Sequence, residues 1–213
     1  MSKPPTALED RDEEDGRLFS PSAGRNKAVI AAVLSEILPQ KASVLEVGSG
    51  TGEHGIAVLT SRPDVQWQFS DPDPTSRASQ NAWGKYSGFD MAPSLNLDMI
   101  DANSRAQITR SYEVIFSANM IHIAPVSALE GLAELASKAI SDGGQACLYG
   151  PFLFGEDSAP SNLEFDASLK RRNPHWGVRE IEFVKHIFGK HSFNASSLRD
   201  MPKNNFLLGM LKD

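Results

Sequence analysis

The sequence predicts an α/β fold: a mostly parallel sheet covered by helices and ending in an antiparallel hairpin. Three observations carry this expectation. Short apolar strand-like segments alternate with amphipathic helical ones. A glycine-rich turn joins the first strand to a helix. Near the C-terminus, SFNASSL and NFLLGML flank Asp200-Met201-Pro202 and can pair with each other. With 213 residues, 40% hydrophobic and 23% charged, the chain has enough apolar material for one domain, taken as 18–213.

Ser20-Pro21 supplies a cap and a first helical residue. Ile30, Val33, Leu34, Ile37 and Leu38 then repeat at helical spacing until Pro39 stops the run. Ser43 to Gly48 (SVLEVG) reads as a first strand, and Glu53 to Thr60 as the helix after the glycines. WQFSD, ending at Asp71, is a second strand, followed by a helical stretch from Thr75 to Tyr86. Ser94 to Asp98 (SLNLD) is a short third strand. Tyr112 to Asn119 is a fourth, apolar on both faces as a central parallel strand must be. Leu129, Leu132, Ala133, Ala136, Ala139 and Ile140 make a further helical face, which Asp142-Gly143-Gly144 can end in a left-handed turn. QACLYG is the fifth strand.

The net charge of −6 is unevenly distributed. Glu9 to Asp15 carries six acids and one Arg, so the rest of the chain is close to neutral. Such a block reads as a solvated, disordered tail over residues 1–17. No stripe of Lys and Arg favours nucleic acid, since Lys170-Arg171-Arg172 is only a short cluster. The single Cys147 excludes an intramolecular disulfide and a cysteine-based zinc site, and it reads as a buried strand residue. His186 and His191 are five apart, which does not make a metal pair on one helical face, so no metal is expected. No basic leader with an apolar run and no stretch of roughly 20 apolar residues is present, so the expectation is a cytoplasmic protein without a membrane partner. No obligate protein partner is evident.

Glu46-Val47-Gly48-Ser49-Gly50-Thr51-Gly52 holds the most chemistry. A dinucleotide fingerprint, GxGxxG, places its third glycine where Glu53 stands here. A carboxylate there would compete with a pyrophosphate for the helix dipole. The spacing is instead GxGxG with Glu46 two residues ahead. An acid beside the turn suits S-adenosylmethionine, which carries an ammonium and a sulfonium and no phosphate. Asp71, 19 residues past Gly52, can accept both ribose hydroxyls, and Asp98 can accept from the adenine amino group. Three acids at successive strand ends lie along the edge where open α/β sheets bind ligands.

ExGSGTG with its two following acids resembles the class I methyltransferases. The resemblance sharpens in RNKAVI (from Arg25), SANMIHIAP (Ser117 to Pro125), LYGPF (Leu148 to Phe152), SNLEFDASLKRRNPHWGVRE (Ser161 to Glu180) and MPKNN (Met201 to Asn205). These segments resemble the DUF938/UPF0585 group of methyltransferase-like proteins, which includes the animal methyltransferase-like protein 26. The resemblance implies the Rossmann-like class I methyltransferase fold with a seven-stranded sheet. It also implies S-adenosylmethionine as cofactor, with Glu46, Gly48, Ser49, Gly50, Gly52, Asp71, Asp98 and Asn119 as its set. It implies no particular acceptor. Asn173 replaces an expected acid in RDP, and Lys203 an expected Ala in MPANN.

Methyl transfer from a sulfonium needs alignment and desolvation more than proton chemistry. A base is needed only for a protonated acceptor. Asn119 and His122 follow the fourth strand, on the methyl side in this fold. His122 is the candidate general base or acceptor-orienting group, or else a histidine bonded to a backbone carbonyl. His54 is a cofactor-side or packing residue. Between 149 and 179, Tyr149, Phe152, Phe165 and Trp176 offer apolar walls, and Asn162, Asp166, Arg172 and Arg179 offer polar contacts. This stretch reads as an acceptor lid or as an ordinary surface loop. Arg172 can bind a substrate carboxylate or pair with Asp166. Asn204 and Asn205 can close the pocket or shape the hairpin. The leading expectation is a methyltransferase acting on a small-molecule acceptor. An NAD(P)-dependent oxidoreductase and a non-catalytic cofactor-binding regulator are the alternatives.

Overall fold

The computed structural model describes residues 10–213. The chain divides into two compact units, Met1–Leu97 and Asp98–Asp213, where the sequence suggested one domain.

The first unit opens with a hairpin where the acidic stretch suggested a disordered tail. Much of the acidic stretch is an ordered hairpin, β1 (Asp12–Glu14) antiparallel to β2 (Arg17–Phe19). Asp15 and Gly16 join them with φ of 51° and 78°. Asp-Gly is the pair that a two-residue mirror-image turn favours, because both central residues need positive φ. Charge repulsion is overcome by Arg17, which is buried, sits 3.5 Å above the Tyr86 ring and pairs with Glu14 at 2.8 Å. The Leu18 N–H donates to Ser79 Oγ, and Trp83 Nε1 donates to the Leu18 carbonyl. Residues 1–9 of the expected tail lie outside the described residues.

Helix α1 (Pro21–Ile37) follows and buries Ile30 and Leu34, with Val33 and Ile37 half-buried. β3 (Ser43–Val47) leads through the glycine turn into α2 (Glu53–Ser61), and β4 (Gln66–Ser70) pairs with β3 in parallel. Helix α3 (Pro74–Ser87) is capped by Asp73, whose side chain accepts from the Ser76 N–H, and ends at Gly88 with φ 72°.

Ser94–Asp98 is not a ladder strand. It meets β4 only at a parallel bridge, Ser70 to Leu95. The flanking N–H groups bond side chains instead: that of Ser94 donates to Asn81 Oδ1, and that of Asp98 to Ser104 Oγ. A seventh strand is therefore lost to side-chain competition for the backbone.

The second unit is built on β5 (Tyr112–Ala118), parallel to the long β6 (Ile140–Pro151). The last two strands, β7 (Phe193–Met201) and β8 (Asn205–Lys212), form the expected hairpin, with β8 antiparallel to β6. The sheet is thus mixed. Helix α4 (Ala102–Ala106) is short; α5 (Val126–Ala139), α6 (Pro160–Arg172) and α7 (Ile181–Gly189) complete the unit. Helix α5 stops at Ala139 and Ile140 is already extended, so Asp142-Gly143-Gly144 lies inside β6 and not at the helix end. Gly144 is needed there, since a Cβ would come within 2.6 Å of the Glu113 carbonyl beside the register shift in β5. Residues 149–179 are not a single loop, because α6 occupies their middle. Among the described residues no helix is long and apolar enough to cross a membrane.

Candidate functional site: a bare glycine turn and a buried histidine

In the first unit, Gly48, Gly50 and Gly52 have φ of 70°, 55° and 92°. L side chains rarely adopt this region, so glycine is the residue that makes this turn at least cost at these places. The turn is held from both sides. Ser49 N donates to the Ser70 carbonyl, and the Ser49 and Ser70 hydroxyls both donate to the Glu46 carbonyl. Asp71 Oδ2 accepts the Gly50 N–H at 2.9 Å, while its Oδ1 accepts the Asp73 N–H at 2.9 Å. Each oxygen keeps lone-pair capacity for a further donor. Burial pushes the Asp71 carboxyl above its usual range, and these N–H groups oppose that.

Helix α3 secures the other side. Gln80 Nε2 donates to the Gly50 carbonyl and Ser79 Oγ to that of Thr51, both at 2.8 Å. At Gly52 a Cβ would sit 3.1 Å from Gln80 Cγ, so that glycine serves packing. At Gly50 the same construction meets only Arg11 Nη2, at 3.9 Å. The described residues leave that face of Gly50 open.

Glu46 lies beneath the turn, 1% exposed. Its Oε2 accepts Trp67 Nε1 at 3.0 Å, and its Oε1 lies 3.7 Å from His54 Nδ1. Burial, reinforced by the Asp71 charge, pushes its carboxyl up to about 8 against the Trp67 bond. Glu53 is also buried, but paired: Lys27 Nζ donates to Oε1 at 2.8 Å, and Ser20 N and Thr51 Oγ1 donate to Oε2. Glu53 therefore locks α1 to α2 and leaves no charge to meet a phosphate.

In the second unit, Asp98 is half-buried and its Oδ1 accepts the Ile100 N–H at 2.9 Å. Asn119 takes a left-handed φ of 59°, and its N–H donates to the Tyr149 carbonyl. His122 is 1% exposed, and among the described residues neither ring nitrogen has a hydrogen-bond partner. Its ring packs edge-on against Phe152 and so close to Gly150 that a Cβ there would lie 2.5 Å from Nε2. Burial, then the Arg179 charge, push His122 down to about 3, while the Gly177 backbone opposes slightly. Arg179 is spent on the carbonyls of Ile121, Ala124 and His175.

Other candidate acceptor residues take structural tasks. Asn162 Nδ2 bonds the carbonyls of Phe152 and Asn204. Asp166 accepts Lys170 Nζ at 2.6 Å and the Val178 N–H at 2.9 Å, so the ion pair considered for Arg172 is made by Lys170. Phe165 and Arg172 are exposed, and Trp176 is half-buried. Tyr149 is buried in β6. Asn205 Nδ2 bonds the Pro202 and Lys203 carbonyls and so shapes the hairpin, while Asn204 Nδ2 reaches Ser161 Oγ.

Sequence reasoning passed over Ser79, Gln80, Asn26 and Trp67. A signal was present for two of them. Ser76, Ser79, Gln80 and Trp83 fall on one helical face, and polar residues on a buried face need partners.

The two buried imidazoles set an acid limit on stability. Burial holds His54 at about 4 and His122 at about 3, against about 6.5 for an unperturbed histidine. Below pH 6.5 the unfolded chain binds protons that the folded chain refuses, so stability falls as pH falls from 6.5 toward 4. Each group contributes a slope of about 1.4 kcal/mol per pH unit. Glu46, protonated in the folded state up to about 8, opposes this above pH 4.5. Urea midpoints between pH 7 and 4.5 should fall with pH in the parent and fall less in His122→Leu.

Several solved structures share this fold. An O-methyltransferase family protein from Burkholderia thailandensis is 12% identical, with a TM-score of 0.77 over 90% of this chain and 56% of that one. A putative O-methyltransferase from Nostoc punctiforme PCC 73102 is 18% identical, with a TM-score of 0.73 over 92% and 58%. CalO1, a methyltransferase in calicheamicin biosynthesis described in an SAH-bound form, is 12% identical, with a TM-score of 0.73 over 90% and 56%. The chain spans less than two thirds of the length of each. At these identities the likeness is one of fold, which is the Rossmann-like class I methyltransferase fold. The family described as "Protein of unknown function (DUF938)" matches residues 17–212, nearly all that is described, and the chain belongs to that family.

Proposed function

We propose that the protein is an S-adenosylmethionine-dependent methyltransferase acting on a small-molecule acceptor. The observation that carries this reading is the glycine turn of the first unit, open at Gly50 and backed by the buried carboxyl of Glu46. A pyrophosphate site would present free N–H groups and no acid. Here the Gly50 N–H is already bonded to Asp71, and an acid lies beneath the turn. That donor set fits a cationic nucleoside.

Glu46 would take the cofactor's ammonium and Asp71 its ribose hydroxyls, with the open face of Gly50 admitting the nucleoside. When bound, the cofactor supplies a methyl group activated by a sulfonium, whose departure needs no protonation. The protein's task is then to align the acceptor and exclude water. In the second unit we assign His122 the orienting role. Held neutral by burial, it can accept a hydrogen bond from an acceptor hydroxyl or amine, but it is a weak base.

Asp71→Ala should weaken S-adenosylhomocysteine binding by roughly 1–3 kcal/mol, through loss of charged hydrogen bonds to the ligand and of the Gly50 anchor. An unchanged dissociation constant would remove Asp71 from the site. The reading as an enzyme is tested by incubation with methyl-labelled cofactor and a panel of phenols, amines, thiols and carboxylic acids. Label in an acceptor, lost in Gly50→Val, supports it. Tight cofactor binding without transfer to any class would favour the regulatory reading.

A further inference from the structure

Glu46 does not stand alone beneath the turn. His54, on α2, points Nδ1 at Glu46 Oε1 across 3.7 Å, and its Nε2 lies 2.8 Å from Asn26 Oδ1 on α1. An amide oxygen only accepts, so Nε2 must carry the ring hydrogen in the neutral imidazole. Nδ1 is then a bare lone pair facing a carboxyl oxygen. Two acceptors held face to face repel unless a proton lies on one of them. The other Glu46 oxygen is already fixed by Trp67.

From this geometry, and resting on the cofactor reading above, we propose that Glu46 and His54 together hold one proton in the ligand-free protein. That proton leaves for solvent when the cofactor's ammonium docks on Glu46. His54, pinned by Asn26, acts as a positioning residue: it sets the protonation of the group that binds the ligand.

The balance is simple. A neutral carboxyl and an ammonium become a carboxylate paired with that ammonium, and one proton is released. The surroundings support it. Glu46 is raised by burial, against hydrogen bonds from the Trp67 and Ser49 side chains, and the Asp71 charge adds to the rise. His54 is lowered by burial, with Glu53 raising it and Lys27 lowering it. Arg11 acts on Asp71 and lowers it. Lys27, the cation that acts on His54, is itself paired with Glu53 at 2.8 Å. The incoming ammonium would bring a positive charge directly to Glu46. A site built this way takes the amino-acid end of the cofactor only as its charge arrives, and it binds the ligand more weakly in acid.

Calorimetric titration with S-adenosylhomocysteine, in buffers of different ionisation enthalpy at pH 6 to 7.5, counts the protons. The parent should release about one proton, and its binding constant should rise about tenfold per pH unit. Methylthioadenosine, which lacks the ammonium, should bind with no proton release and no pH slope. Glu46→Gln should lose both signals with the homocysteine ligand. His54→Gln, whose amide can donate to Glu46, should still bind and should release fewer protons at pH 7. Binding by the parent without proton release would overturn the proposal, as would an unchanged proton count in His54→Gln. Failure of the folded parent to bind S-adenosylhomocysteine at any pH would overturn the cofactor reading itself, and this inference with it.

Discussion

Gly50→Val is expected to abolish S-adenosylhomocysteine binding, a loss of at least about a hundredfold or 2.7 kcal/mol, while cooperative unfolding is retained. Among the described residues nothing forbids bulk at Gly50, since the Cβ direction meets the far end of Arg11 at 3.9 Å. The open space is therefore an opening for something other than protein. The φ of 55° adds about 1–2 kcal/mol of backbone strain for a branched side chain. That cost is small enough for a folded variant to be recovered and titrated. Valine would stand in the approach to the turn and would disturb the Gly50 N–H held by Asp71. Calorimetry on the folded variant decides the matter, and retained affinity would refute the assignment of the turn.

Gly55→Ala is expected to lower stability by about 3 kcal/mol, at the upper end of ordinary overpacking. Gly55 lies in the first turns of α2, pressed against β4. A Cβ there would come within 2.5 Å of Phe69 Cε1 and would run into Trp67 Nε1. Neither ring is a flexible chain end that can swing aside. Displacing Trp67 also removes the indole donor from Glu46, leaving a buried carboxyl with one bond fewer. The variant should unfold at clearly lower urea and bind S-adenosylhomocysteine more weakly than its stability loss alone would require. Parent-like stability would show that α2 and β4 are less tightly packed than described.

Much of this molecule can be read from its residues, and the failures have physical causes. The glycine turn was legible because three glycines at GxGxG spacing, preceded by an acid, leave few alternatives. The terminal hairpin was legible because its two apolar runs flank a turn signal. Hidden in the acidic stretch was an Asp15-Gly16 turn, overlooked because charge density suggested disorder. What orders it is Arg17 lying over Tyr86 and Trp83, nearly seventy residues away in sequence. The third strand failed because Asn81 and Ser104 take its flanking N–H groups, a competition that strand periodicity does not report. In the segment 149–179, composition suggested loop, yet buried Asn162, Asp166 and Leu169 recur at i, i+4 and i+7 and seat a helix. Asn162 and Asp166 looked like ligand contacts because they are polar. They are polar because they tie backbone carbonyls and amides that α6 covers.

The site divides in the same way. Glu46 and Asp71 were identifiable by their place at strand ends. Gln80 and Ser79, which hold the turn's carbonyls, and Asn26, which orients His54, come from other helices and emerge only with the fold. The Asn26-Lys27 pair now has physical content: Asn26 fixes His54 and Lys27 pairs with Glu53.

The cofactor assignment depends on an acid under an open turn choosing a cation over a phosphate. Side-by-side titration of the purified protein with S-adenosylhomocysteine and with NADH measures that choice. Saturable binding of the first and silence with the second is the predicted result; binding of NADH with no response to the thioether nucleoside would contradict it.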